Sequence, residues 1–200
     1  MTVSDRHFGK PKPPQSLRLG GKNGRYSEYN QDGLPIKVAL PTQNNAEYTY
    51  TYDSINRVTF LAQSLNSSID EEICTEYAYV TGQSGDKTGL VSSVMYNIYD
   101  DLGFHSSVNP SLSYTYDNNG NIKTIKQANV LKASYTYDGL NQLTREDNKW
   151  LDKTIVYTYD NGGNILSKKY YAYTTGALGT LLDTVAYTYD TVWKDKLLTY

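Results

Sequence analysis

Tyr-Thr-Tyr-Asp occurs five times in this chain, at Tyr50–Asp53, Tyr114–Asp117, Tyr135–Asp138, Tyr157–Asp160 and Tyr187–Asp190. A word repeated this often in 200 residues marks an array of like units, each too small to bury its own apolar face. Weaker copies at Tyr29-Asn30, Tyr77-Ala78-Tyr79 and Tyr96–Asp100 divide the longer intervals, and the unit comes to about 20 residues.

The residues after each Asp are also regular. Asp53-Ser-Ile-Asn56-Arg57-Val58, Asp117-Asn-Asn-Gly120-Asn121-Ile122, Asp138-Gly-Leu-Asn141-Gln142-Leu143 and Asp160-Asn-Gly-Gly163-Asn164-Ile165 share one pattern. It runs Asp, two residues, Gly or Asn, a polar residue, then an aliphatic one. Asp100-Asp-Leu-Gly103-Phe104 fits it in part. The pattern predicts a β-hairpin. Tyr-Thr-Tyr alternates, so both rings lie on one face and Thr on the other. Asp accepts bonds from N–H groups two and three residues on. Gly120, Asn141 and Gly163, with Asn56, supply the left-handed residue that closes a type I turn with a bulge. The aliphatic residue begins the return strand. Two segments carry longer inserts, Tyr77 to Leu90 and Tyr170 to Leu181, and are expected to be one device used twice, a hairpin with long arms.

The fold expected is all-β: consecutive antiparallel hairpins in a curved or spiralling sheet over residues 25–200. Residues 1–24, with Lys10-Pro-Lys-Pro-Pro14 and Gly20-Gly-Lys-Asn-Gly24, have linker composition. The strand pattern is still running at Leu197-Leu-Thr-Tyr200, so the array is expected to be truncated there. Open sheet edges make self-association an expectation as well.

Composition excludes several classes. There are 21 tyrosines against three Phe and two Trp, so the aromatic content is strand-prone and amphipathic. No apolar run is long enough to span a membrane as a helix, and Met1–Gln15 has no secretory apolar core. Cys74 stands alone, which leaves no disulfide framework and no cysteine zinc site. With 19 basic and 21 acidic residues there is no nucleic-acid footprint. No metal, cofactor or catalytic set is expected. The Asp-x-x-Gly turns lack EF-hand spacing. His7 and His105, the two histidines, have no ligand or triad partner nearby. The glycines at 20–24 lack phosphate-loop spacing.

The repeated tyrosines admit two roles. Paired rings along a sheet stabilise it through cross-strand contacts. Open rings can stack sugars, and Tyr114, Tyr135 and Tyr157 are the candidate platform. Wall-binding repeats of similar period use Gly-Trp pairs, whereas Trp150 and Trp193 are the only tryptophans here.

Tyr-x-Tyr-Asp-x-x-Gly-Asn/Arg-Leu/Ile resembles the signature of the RHS (YD-repeat) proteins, and the resemblance covers roughly residues 26 to 200. The run Tyr187–Tyr200 resembles a stretch of Gram-positive wall-associated members. The resemblance implies hairpins wound into a spiral sheet that makes a hollow shell, enclosing a toxin domain in bacterial toxins and supporting cell–cell recognition in teneurins. It implies an extracellular or cell-surface setting, neighbouring RHS repeats as partners, and no catalysis; cell-wall glycans as a further partner follow from the open tyrosine rings. It implies scaffold roles for Tyr50, Tyr52, Asp53, Tyr114, Tyr116, Asp117, Gly120, Tyr135, Tyr137, Asp138, Asn141, Tyr157, Tyr159, Asp160, Gly163, Tyr187, Tyr189 and Asp190. The chain has no family core motif, no self-cleaving aspartyl site and too few repeats to close a shell.

Overall fold

The computed structural model describes residues 17–18, 26–40, 46–64, 71–100 and 105–200. His7, the proline-rich stretch, the glycines at 20–24 and the turn at 101–104 lie outside the described residues. The chain is all-β, and the paired strands are antiparallel. It divides into two compact units, Met1–Tyr77 with Tyr96–Asn109, and Ala78–Met95 with Pro110–Tyr200. The repeat pattern by itself points to a single array.

The first unit holds β1 (Leu17–Arg18), β2 (Tyr26–Tyr29), β3 (Pro35–Leu40), β4 (Ala46–Tyr52) and β5 (Val58–Ser64). β6 (Glu71–Thr81), β7 (Lys87–Asp100) and β8 (His105–Tyr116) give one part to each unit. The second unit continues with β9 (Ile122–Gln127), β10 (Val130–Tyr137), β11 (Leu143–Asn148), β12 (Lys153–Tyr159), β13 (Ile165–Ala172) and β14 (Leu181–Ala186). A two-stranded pair, β15 (Thr188–Tyr189) and β16 (Leu197–Thr199), comes last. Strand order from β1 to β14 is chain order, as consecutive hairpins require. β1 lies in the segment read as linker; its two residues pair with Ser27 and Tyr26 of β2.

Six hairpin turns have one geometry. The backbone N–H of the fourth turn residue donates to the carbonyl of the first: Gly33 to Asn30, Asn56 to Asp53, Gly85 to Gly82, Gly120 to Asp117, Asn141 to Asp138 and Gly163 to Asp160, at 3.0–3.2 Å. The fourth residue is left-handed in every case, with φ from 64° to 90°. The register slips by one residue at Thr51/Tyr52, Thr115/Tyr116, Thr136/Tyr137 and Thr158/Tyr159, where the bulge is absorbed.

Nothing lies within 4 Å of a Cβ built on Gly120, so only its backbone conformation, φ 85°, resists substitution. Gly120→Ala is therefore expected to cost about 1 kcal/mol. Gly120→Asn is expected to cost much less, because Asn56 and Asn141 take the same place. Urea denaturation of the two variants distinguishes them.

The last copy departs from the pattern. Trp193 stands where Gly or Asn is needed, a bulky residue does not adopt positive φ cheaply, and the loop widens so that Asp190 N–H donates to Lys196 O at 2.9 Å. The two inserts also differ from each other. Gly82–Gly85 makes the same tight turn between the long arms β6 and β7. Residues 173–180 instead form a loop that returns against the neighbouring strands.

The opposite ends of the strands are joined differently. Ala128-Asn129, with φ of 48° and 64°, is a two-residue hairpin turn of type I′ character between β9 and β10. Among the described residues the buried apolar side chains are small or isolated: Val38, Ala46, Ala62 and Cys74 in the first unit, Val94, Ala133 and Ile155 in the second. Burial of the sheet faces is therefore partial, and specific hydrogen bonds carry more of the order. No helix among the described residues is long and apolar enough to cross a membrane.

Candidate functional site

The repeat chemistry concentrates at the turn ends of the hairpins. In each Asp-x-x-Gly/Asn turn the aspartate Oδ1 accepts two backbone N–H groups, two and four residues on. The pairs are Ile55 and Arg57 on Asp53, Asn119 and Asn121 on Asp117, Leu140 and Gln142 on Asp138, and Gly162 and Asn164 on Asp160, at 2.8–3.1 Å. Sequence reasoning assigns the N–H three residues on. That N–H closes the turn on the backbone carbonyl, which leaves the fourth for the carboxylate. Asn30 does the same with Asp32 and Leu34. Asp190, in its wider loop, takes Val192 and Trp193, two and three residues on.

The polar residue after the turn has a role that its type alone did not disclose. Its side chain donates to the aspartate Oδ2: Arg57 Nε to Asp53 at 2.6 Å, Asn121 to Asp117 and Asn164 to Asp160 at 3.0 Å. Gln142 holds the equivalent place beside Asp138 and makes no such bond.

These donors lower the carboxyl pKa values. Desolvation pushes Asp53 up, but the Arg57 side chain, the two N–H donors and the Arg57 charge outweigh it and hold the group at about 2. Asp117 and Asp160 are lowered chiefly by Asn121 and Asn164, and Asp190 by the Trp193 and Val192 N–H groups. A depressed folded-state pKa gives stability that is present above the unfolded value, about 3.9, and lost as pH falls through the folded one. The thermal midpoint is expected to drop between about pH 4 and pH 2, and Asp53→Asn should flatten that drop.

The second tyrosine of each copy makes a distinct contact. Within a hairpin the strands pair up to the turn. Between hairpins the register stops short, at Lys37↔Thr49, Thr124↔Ser134 and Arg145↔Val156. The strands diverge there and leave a wedge in which a carbonyl at the start of the earlier strand has no ladder partner. The tyrosine hydroxyl supplies one. Tyr52 donates to Pro35 O, Tyr137 to Ile122 O, Tyr159 to Leu143 O and Tyr189 to Ile165 O, at 2.7–3.0 Å. Tyr116 donates to Val91 O at 2.7 Å. Each hairpin is thus latched to the strand before it. Pro35, Ile122, Leu143 and Ile165 are the aliphatic position of the preceding repeat, so the two halves of the sequence signature meet across the boundary.

The first tyrosines, Tyr50, Tyr114, Tyr135, Tyr157 and Tyr187, are half-buried. Tyr114 faces Ile125, and Tyr135 faces Glu146. Tyr157 donates to Glu146 Oε2 at 3.0 Å, and burial, then Glu146, pushes its pKa up. Lys168 Nζ lies 5.8 Å from the ring centroids of both Tyr157 and Tyr187. The opposite face carries hydroxyl pairs, Thr51–Thr59, Thr115–Thr124, Thr158–Ser167 and Thr188–Thr199, at 2.6–3.0 Å.

The loop at 173–180 packs against β11 and β12. Arg145 donates to Asp147 at 2.8 Å, and to the carbonyls of Thr174 and Gly176 at 3.2 and 2.8 Å. Thr154, fully buried, has its hydroxyl 2.9 Å from both Asp147 and Thr174 O.

Among the described residues no cluster of His, Cys, Asp and Glu is arranged to hold a metal ion. Cys74 is buried on β6, and burial, then Glu72 and Glu76, pushes its thiol up to about 11, far from a reactive thiolate.

No family model matches the chain. No curated protein matches it either. Solved structures do show a likeness. A TcdB2–TccC3–TEV crystal structure aligns over 86% of this chain and 11% of its own, at 12% identity and a TM-score of 0.36. The Photorhabdus luminescens Tc holotoxin pore aligns over 86% of this chain and 11% of its own, at 14% identity and 0.36. A porin-like protein from Bacteroides uniformis aligns over 88% and 83%, at 15% identity and 0.42. The chain spans about a tenth of the toxin chains, and likenesses of this grade carry no function to it.

Proposed function

We propose that this chain is a non-catalytic structural segment of an RHS-type, YD-repeat scaffold or shell. One observation carries the reading: in all five copies the Asp ties up its own turn and the second Tyr latches to the strand before it. The signature residues are spent on holding hairpins together. In this reading the chain works at a cell surface or outside the cell, as part of an assembly that encloses or displays an effector. Its partners are further repeats. β14 pairs with β13 on one side, and Leu181 and Leu182 along it are exposed. Such an edge suits strand addition by a neighbouring repeat.

Sugar stacking on the first tyrosines is the competing reading, and co-sedimentation with bacterial cell walls and insoluble polysaccharides separates the two. Replacing Tyr114 and Tyr135 by Ala is expected to lower the unfolding midpoint and to leave sedimentation per folded molecule unchanged. Saturable binding by the parent chain that disappears in the folded double variant would overturn the scaffold reading.

A further inference from the structure

The four turns that begin at Asp117, Asp138, Asp160 and Asp190 form a row in the second unit, and two of the three gaps between them are closed by side chains. Between the turns at Asp117 and Asp138, Asn119 and Asn121 both donate to Asn141 Oδ1, at 2.8 and 2.9 Å. Between the turn at Asp160 and the loop at Asp190, Asn164 donates to Lys194 O at 3.2 Å. The middle gap is different. The position that Asn141 fills in the earlier turn is Gly163 in the later one, so no side-chain oxygen is present to receive Gln142. A Cβ on Gly163 would lie 3.2 Å from Gln142 Nε2, which places the missing side chain directly against that amide.

Beside this gap lies an open groove of about 500 Å³, lined by Asp138, Leu140, Gln142, Tyr157, Asp160 and Asn161 among others. Its polar groups are unevenly used. Both oxygens of Asp160 and one of Asp138 take turn donors. The Oδ2 of Asp138 and the side-chain amides of Gln142 and Asn161 make no protein hydrogen bond. Leu140, 76% exposed, adds an apolar flank.

We infer that this groove binds a neutral sugar. One free carboxylate oxygen accepts from hydroxyls, and two free amides both donate and accept, which matches the vicinal hydroxyls of a pyranose. Leu140 matches the C–H face of the ring. The carboxylates of Asp138 and Asp160 disfavour a phosphate or another anion. A single uncommitted carboxylate oxygen is too few for a calcium ion, which takes roughly six to eight oxygens. The groove shares Tyr157 with the tyrosine platform but not Tyr114 or Tyr135, and binding there does not depend on the scaffold reading.

The test is two-dimensional NMR of the full, nitrogen-labelled chain, titrated with cellobiose, maltose and N,N′-diacetylchitobiose. At least one disaccharide is expected to shift the Gln142 and Asn161 side-chain amides saturably. Gly163→Asn is expected to accept from Gln142 and so take that amide away from a ligand. Asn tolerates the left-handed backbone, and binding should weaken roughly tenfold or more. Gln142→Ala keeps every backbone bond of the turn and should weaken binding likewise, which covers the case in which Gly163→Asn perturbs folding. The Tyr114→Ala and Tyr135→Ala changes should leave it intact. No shift with any of the three sugars, or shifts that persist in both groove variants, would overturn the proposal.

Discussion

Replacing Tyr52, Tyr116, Tyr137, Tyr159 and Tyr189 together by Phe is expected to remove about 5 kcal/mol of stability. Each substitution keeps the ring and deletes one hydroxyl, leaving a carbonyl in the wedge between hairpins without its donor. A hydrogen bond of this kind contributes about 1 kcal/mol net. The five latches share no partner, so their losses should add. Four of the latches lie in the second unit, where a loss of about 4 kcal/mol approaches the whole stability of an ordinary domain, about 5–15 kcal/mol, and among the described residues few buried apolar side chains offset it. Single variants should each lose about 1 kcal/mol in urea denaturation. The combined variant should be largely unfolded in buffer. If it retains the parent midpoint, the latches contribute nothing.

The same bonds predict an alkaline limit. Burial raises the pKa of Tyr52, Tyr116, Tyr137 and Tyr159 above the ordinary 10.0, aided by Tyr50 at Tyr52, by Asp117 and Glu146 at Tyr137 and by Asp138 at Tyr159. A raised folded-state pKa means that the unfolded chain gives up its proton first. The stabilisation is complete below about pH 10 and is lost as pH rises through the folded values. Circular dichroism should therefore stay flat to about pH 10 and then fall in one steep step, with tyrosinate absorbance rising in the same step. The single variant Tyr159→Phe, which keeps the other latches, should lose less stability across that step than the parent chain. Smooth titration of all tyrosines near about pH 10 with the fold intact would contradict the geometry.

Much of this was legible in the sequence because turn chemistry is local. Asp at the first position and Gly or Asn at the fourth fix a type I turn with a left-handed closing residue, and Asn56, Gly120, Asn141 and Gly163 all adopt positive φ. The alternation of Tyr and Thr likewise fixes which side chains share a face. The latch was not legible, because it depends on where pairing between successive hairpins stops, and no residue type announces that register. The turn at Ala128-Asn129 was missed because Ala carries no left-handed signal. Gly82-x-x-Gly85 and Gly176-x-x-Gly179 have the same spacing, yet only the first is a tight turn. In the second, Gly179 passes so close to Ala172 that a Cβ would lie 2.8 Å from its carbonyl oxygen, and Arg145 holds the loop through the carbonyls of Thr174 and Gly176. The uncommitted Gln142 amide beside Gly163 has meaning only once neighbouring turns are seen side by side.

Native-state hydrogen exchange on Tyr159→Phe tests the central claim most directly. Tyr159 ties the β12–β13 hairpin to β11 through Leu143 O. If latches join hairpins into a scaffold, the opening that separates β12–β13 from β10–β11 becomes cheaper by about 1 kcal/mol, and amides at that boundary exchange about fivefold faster. Amides inside the β8–β9 hairpin should keep their rates. Unchanged exchange at the boundary, or equal acceleration across every strand of the unit, would show that the tyrosine hydroxyls are not what couples one repeat to the next.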